Sequence, residues 1–257
     1  MKQFSARILR NRPICTDFFE MAFAWDTDAA QPVPGQFFTV RVSQDTVPLL
    51  RRPFAVSSFS EKTLTAAIIY QRRGRGTEIL CAKQKGDVID VLGPLGRSFP
   101  LPEHGQKALL VAGGIGIGPV LSLARLLKRR GNYLKMIFGC RTSALVPRLS
   151  AFAALKPAIC TDDGSAGFKG TTGDFLKSIE KSAGSDTILY ACGPMAMLKR
   201  CHEFARRRGI VCHVSVEQIM ACGVGACMGC AVRAARGGYV RVCTEGPVFE
   251  SKEIDWE

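Results

Sequence analysis

The chain has 257 residues, 47% hydrophobic and 22% charged, with a formal net charge of +13 and eleven cysteines. That length suits one large domain or two to three small ones, and no apolar run approaches the ~18 residues that cross a bilayer as a helix. The basic residues are scattered (Arg51-Arg52, Arg72-Arg73-Arg75, Lys128-Arg129-Arg130, Arg206-Arg207-Arg208) rather than striped among aromatics, which argues against nucleic acid and leaves anionic cofactors or an acidic protein partner. The opening MKQFSARILRNRP has charge but no apolar signal core, so the chain reads as cytoplasmic.

Residues 1–100 read as six short strands, at 4–10, 18–25, 36–42, 53–59, 64–70 and 87–93. Each is rich in β-branched or aromatic side chains, and Pro and Gly punctuate them. Only 76–83 looks helical. Six strands at this spacing predict an antiparallel barrel. Within it, "LLRRPFAVSS" and "IIYQRRGRGTEIL" would suit a flavin diphosphate. Arg52 supplies charge, and Gly74, Gly76 and Thr77 supply N–H groups at a helix start. The competing reading is an arginine on an ordinary solvated strand face.

From about residue 101 the rhythm becomes alternating strand and helix through residue 215, which predicts a parallel sheet wrapped by helices. Strands are expected at 107–114, 133–140, 158–164, 186–193 and 210–216, with helices at 118–131, 144–155, 173–183 and 194–209. "LLVAGGIGIGP" sets Gly113, Gly114, Gly116 and Gly118 between a buried strand and a helix, where a helix N-terminus can hold phosphate. It is not the strict G-x-G-x-x-G pattern, and a plain tight turn would also need these glycines. "LYACGPMAMLK" repeats the strand-to-helix turn with Cys192, Gly193 and Pro194. Two such turns at the carboxyl ends of strands could frame one nicotinamide dinucleotide.

Residues 216–257 are glycine- and cysteine-rich and contain a hairpin-like "CAVRAARGGYVRVC". The spacing is Cys222-x4-Cys227-x2-Cys230, then twelve residues to Cys243. The C-x4-C-x2-C…C order is the plant-type [2Fe-2S] pattern, with a closer fourth cysteine. Gly223, Gly225 and Gly229 would let backbone N–H groups approach the sulfurs. Structural zinc and plain packing are the rivals, although zinc usually shows two short knuckles. The other seven cysteines (Cys15, Cys81, Cys140, Cys160, Cys192, Cys201, Cys212) are dispersed and read as small buried hydrophobes. An odd count argues against a disulfide framework. None of His104, His202 and His213 belongs to a recognisable triad.

Taken in order, the barrel, "RRPFAVSS", "GRGT", "AGGIGIGP" and "ACGP" resemble the ferredoxin–NAD(P)+ reductase superfamily. The cysteine spacing ending in "CTEGPVF" resembles the electron-transfer subunits of the dihydroorotate dehydrogenase B type, over essentially the whole chain. The resemblance implies an FAD-binding β-barrel at 1–100, an NAD-binding α/β domain at 101–215 and a [2Fe-2S] cluster-binding module at 216–257. It implies FAD along Arg52, Pro53, Phe54 and Ala55, near Ile69, Tyr70 and Gln71, and at Gly76 and Thr77. It places NAD(H) on Gly113, Gly114, Gly116 and Gly118 and near Cys192, Gly193 and Pro194, and the cluster on Cys222, Cys227, Cys230 and Cys243. Superfamily members often carry Ser or Thr where this chain has Ala55, so a backbone N–H or Ser57 would have to donate near the flavin ring.

The implied function is electron transfer from the FMN of a partner subunit that oxidises dihydroorotate, through [2Fe-2S] and FAD, to NAD+ in pyrimidine (UMP) biosynthesis. The implied assembly is a 2+2 heterotetramer. A flavin can exchange both a hydride and single electrons, so FAD belongs between nicotinamide and cluster. The alternative is a related subunit of a sulfhydrogenase or ferredoxin:NADP+ oxidoreductase complex. Arg141 leaves NADP open, whereas Asp162 and Asp163 of "TDDG" would repel a 2′-phosphate if they lined the site.

Overall fold

The structure is a computed structural model that describes residues 1–180 and 184–257. Strands β1 (Lys2–Cys15), β2 (Phe18–Ala24), β3 (Phe37–Arg41), β4 (Arg52–Ser60), β5 (Thr65–Gln71) and β6 (Val88–Leu95) close into an antiparallel barrel in the order β1-β2-β5-β4-β3-β6. The alternation that predicted it is visible in β1, where Phe4, Ala6 and Ile8 point inward while Gln3, Ser5 and Arg7 face solvent. Trp25 fills the barrel, edge-on to Phe4 at 4.9 Å and tilted against Phe38 at 5.0 Å. Helix α1 (Arg75–Ala82) links β5 to β6.

The second unit is a sheet built from β7 (Lys107–Gly113), β8 (Leu134–Cys140), β9 (Ala158–Thr161), β10 (Phe168–Lys169), β11 (Thr187–Cys192) and β12 (Cys212–Ser215), all parallel. Helices α2 (Ile117–Arg129), α3 (Ser150–Ala153), α4 (Thr172–Ser178) and α5 (Met195–Arg208) intervene. Six of the seven residues of β7 and all six of β11 are buried, as central strands covered on both faces must be. The strand order is β10-β9-β8-β7-β11-β12, so the order of strand addition reverses between β7 and β11, the switch point where such sheets open a crevice. Helix α5 stops at Gly209, whose φ of +63° supplies the left-handed cap.

Two expectations need correction here. The helix expected over 144–155 is a short 3-10 turn at Ser143–Leu145 followed by the four-residue α3. Pro147 is the cause: it lacks an N–H and pushes Val146 to extended backbone (ψ 123°). The helix expected over 173–183 is α4, which ends at Ser178; residues 181–183 lie outside the described residues.

The last forty residues form a hairpin of β13 (Ala231–Arg233) and β14 (Tyr239–Arg241). They also carry β15 (Val248–Glu250), which was not expected and which joins the large sheet antiparallel to β12. One apolar core joins all three parts: Phe37 and Leu95 of the barrel, Val111 and Leu189 of the sheet, and Val232, Val242 and Phe249 beyond them.

Candidate functional site

Two clefts meet where barrel, sheet and C-terminal segment converge. The first, of about 320 Å³, is lined on the barrel side by Pro53, Phe54 and Ala55 of β4, Ile69, Tyr70 and Gln71 of β5, and Thr77 of α1. Neighbouring pairing of β4 with β5 brings these two stretches side by side. Tyr70 is locked by donating to Asn11 Oδ1 at 2.8 Å and by an edge contact with Phe54. The Thr77 hydroxyl accepts from the N–H groups of Arg73 and Gly74 at 2.9 and 3.2 Å, which fixes the entry into α1. The opposite wall is Ile115, Pro119, Cys192 and the run Ser215–Val216–Glu217–Gln218 with Met220.

Arg52 and Gly76 stand just outside this cleft. An added Cβ at Gly76 would lie 2.6 Å from the Arg52 Nε, so the guanidinium packs directly on the helix start. Ser57 does not line the cleft; it is buried behind it, toward Gly118. Ser215, at the end of β12, does line it.

The second cleft, of about 480 Å³, runs along the carboxyl ends of the parallel strands. Gly113, Gly114, Gly193 and Pro194 line it, as the two-turn motif predicted, together with Cys140, Arg141, Asp162, Thr171 and Thr172. Gly116 and Gly118 do not. A Cβ on Gly116 would strike the Cys192 carbonyl, and Gly118 faces Ile69 and Ser57. Their work is to let α2 sit tightly against the CGP turn and the barrel. Cys192 faces the first cleft rather than the second.

Gln71, Arg73, Ile115 and Glu217 line both clefts and mark their junction. Sequence reasoning did not single out Glu217. Its carboxylate opens onto the clefts yet is enclosed by protein walls, and this desolvation raises its pKa; the Cys192 thiol, donating at 3.9 Å, and Arg73 oppose the rise. Burial raises the Cys192 thiol well above its ordinary range, with the Glu217 charge adding to the effect. The available signal was an acid at a strand end, five residues before Cys222.

The four cysteines of the C-terminal segment are all free thiols. Cys230 and Cys243 are buried, Cys222 is half-buried and Cys227 is exposed. Backbone N–H groups point at three of the sulfurs: Val224 to Cys222, Gly229 to Cys227 and Cys243 to Cys230, each at 3.4 Å. The Val224 N–H is the main cause that brings the Cys222 thiol down to about 6, with Cys227 also hydrogen-bonded to it. Desolvation, and then Cys230, push Cys243 up to about 11. Cys222 interacts with Cys227, and Cys243 with both Cys230 and Cys222. Four thiols on one loop and hairpin are the donor set that a [2Fe-2S] cluster takes. Gly223, at φ +72°, turns the loop where an added Cβ would sit 2.9 Å from the Thr39 methyl of the barrel.

These features match known proteins. Residues 217–255 match the model of the iron–sulfur cluster binding domain of dihydroorotate dehydrogenase B, and residues 110–203 that of the oxidoreductase NAD-binding domain. A solved structure of an NADH-dependent reduced ferredoxin-NADP oxidoreductase superposes with a TM-score of 0.86 at 30% identity, covering 98% of this chain and 90% of the other. Fold and clefts therefore define an NAD-linked oxidoreductase of the ferredoxin-reductase type. The chain is 38% identical over 255 residues to the dihydroorotate dehydrogenase B (NAD(+)) electron transfer subunit of Caldanaerobacter subterraneus subsp. tengcongensis, covering 98% of both chains. It is 41% identical over 252 residues to that of Geobacillus thermodenitrificans, covering 96% of both. The chain belongs to the family of dihydroorotate dehydrogenase B electron transfer subunits.

Proposed function

We propose that the first cleft holds FAD, the second holds NAD(H), and Cys222, Cys227, Cys230 and Cys243 hold a [2Fe-2S] cluster. On this reading the subunit passes electrons from the FMN of a dihydroorotate-oxidising partner to NAD+ in a 2+2 heterotetramer in the cytoplasm. The observation that carries this is chain continuity. Gln218 and Met220 form the wall of the first cleft, and Cys222 follows two residues later. On this reading a short segment brings the cluster beside the flavin site, and the junction residues Glu217 and Ile115 bring the nucleotide to its other side. When bound, nicotinamide exchanges a hydride, the cluster single electrons and the flavin either.

The protein's own residues orient these groups and shield them. Pro53, Phe54 and Ala55 line the cleft with apolar atoms that suit a ring system, and Arg52 with the N–H groups at the start of α1 suits a diphosphate. With Ala55 in the wall, Ser215 supplies the nearby hydroxyl. Glu217, raised in pKa beside Cys192, can hold a proton at the carboxylate where the two clefts meet.

The name of the relatives implies a catalytic partner subunit. Leu49 (73% exposed) and Ile219 (83%) flank one shallow groove, and Met228 (51%) follows the exposed Cys227 in the chain; these exposed apolar side chains suit a covering partner. No helix among the described residues is long and apolar enough to cross a membrane, and eleven free cysteines suit a reducing compartment. The many relatives at 35–42% identity favour dihydroorotate oxidation over the sulfhydrogenase or ferredoxin:NADP+ alternative.

Anaerobic co-purification with the partner tests the assignment. The expected product shows flavin bands and broad thiolate-to-iron absorption, with two irons per chain. Colourless protein with stoichiometric zinc would overturn it.

A further inference from the structure

The second cleft has two ends of different chemistry. One end is the junction with the first cleft, at Ile115 and Glu217. The other is a rim made by the turns after β8 and β9, where Arg141 and Asp162 stand together. The two turns are stitched by backbone hydrogen bonds, Asp162 N–H to the Cys140 carbonyl at 3.2 Å and Asp163 N–H to the Arg141 carbonyl at 3.3 Å. A dinucleotide whose nicotinamide must reach the flavin places its pyrophosphate on the Gly113–Gly114 and Gly193–Pro194 turns. Its adenosine ribose then falls at the Arg141–Asp162 rim.

The two aspartates of "TDDG" differ in what they do there. Asp163 is consumed inside its turn: its Oδ1 accepts from the Ser165 N–H at 2.9 Å and hydroxyl at 2.6 Å, and the Ser165 Oγ in turn accepts from the Ser143 N–H. It does not line the cleft. Asp162 does, and among the described residues its carboxylate makes no hydrogen bond or ion pair. Arg141 is likewise exposed and without an ion pair among the described residues. The Lys169 stem packs under Gly164 of the same loop. Of these charges only Asp162 and Arg141 line the cleft, so they are the open anion and cation that meet whatever ribose arrives.

We propose that Asp162 is the residue that selects NAD over NADP in this chain, and that Arg141 is a latent 2′-phosphate ligand which Asp162 keeps silent. An open carboxylate accepts hydrogen bonds from a ribose 2′-hydroxyl and repels a 2′-phosphate, whereas a guanidinium alone does the reverse. The handle is a single charge on an exposed turn. This rests on the assignment of the second cleft to the nicotinamide nucleotide.

The test uses the cofactor-loaded subunit in complex with its partner and reads bleaching of flavin absorbance by NADH and by NADPH. In Asp162→Ser the ratio of kcat/KM for NADPH to that for NADH should rise by roughly tenfold or more, with NADH reduction still measurable as the control for folding. Adding Arg141→Ala should return NADPH use toward the starting level. An unchanged ratio with NADH reduction retained overturns the role of Asp162 and leaves the cleft assignment standing. A gain that survives Arg141→Ala overturns the role of Arg141. Absence of NADH reduction in the unaltered complex removes the cleft assignment and this inference with it.

Discussion

At the residue scale, Cys227 is the exposed member of the four thiols, and it receives the Gly229 N–H at 3.4 Å. It lines neither of the two clefts. Cys227→Ser should abolish electron exchange with the partner while NADH still bleaches the bound flavin at a rate within about threefold of the parent. Stopped-flow absorbance separates the two steps; loss of NADH bleaching with flavin retained would contradict the order nicotinamide, flavin, cluster. The cluster-binding segment was legible in the sequence because cysteine spacing is itself the chemistry, and residues 217–255 match the iron–sulfur domain. Glu217 was not, because its importance arises only where two clefts meet, and strand-end acids are common. Gly116 and Gly118, which do not line the second cleft, were ambiguous in the sequence because a phosphate cradle and a tight helix–strand contact ask for the same residue. Only the Cys192 carbonyl lying where a Cβ would go tells them apart.

At the element scale, strand alternation in the barrel and buried runs in the parallel sheet were both readable, since each follows a simple period. The failures were local. Pro147 broke an otherwise helical pattern, and β15 is too short to announce itself, at three residues. Yet β15 ties the cluster segment to the nucleotide sheet: Val214 pairs with Phe249, and the Val216 N–H bonds the Pro247 carbonyl at 2.9 Å. Phe249 is buried in the core shared by all three parts. Phe249→Ala should therefore cost about 3–4 kcal/mol, within the range for large-to-small core changes. The cost should show as a lowered thermal midpoint together with faster loss of thiolate-to-iron absorption. Destabilisation with cluster lifetime unchanged would mean that β15 does not anchor the cluster loop.

At the scale of the whole molecule, three segments far apart in sequence converge on one junction: β4–β5 of the barrel, the turns after β7 and β11, and residues 215–220. On the proposed assignment, the order nucleotide cleft, flavin cleft, cysteine loop is a spatial sequence as well as a chemical one, and its last member carries the exposed Cys227. Separate barrel and sheet could be inferred from rhythm alone; their meeting could not, because nothing in a one-dimensional pattern encodes which loop faces which. If the chain links a partner's substrate oxidation to NAD+ through that series, the anaerobically co-purified complex forms NADH on addition of dihydroorotate. Steady NADH formation that stops when Cys227 is replaced by Ser is the expected result; NADH formed equally well by the Cys227→Ser complex would rule the series out.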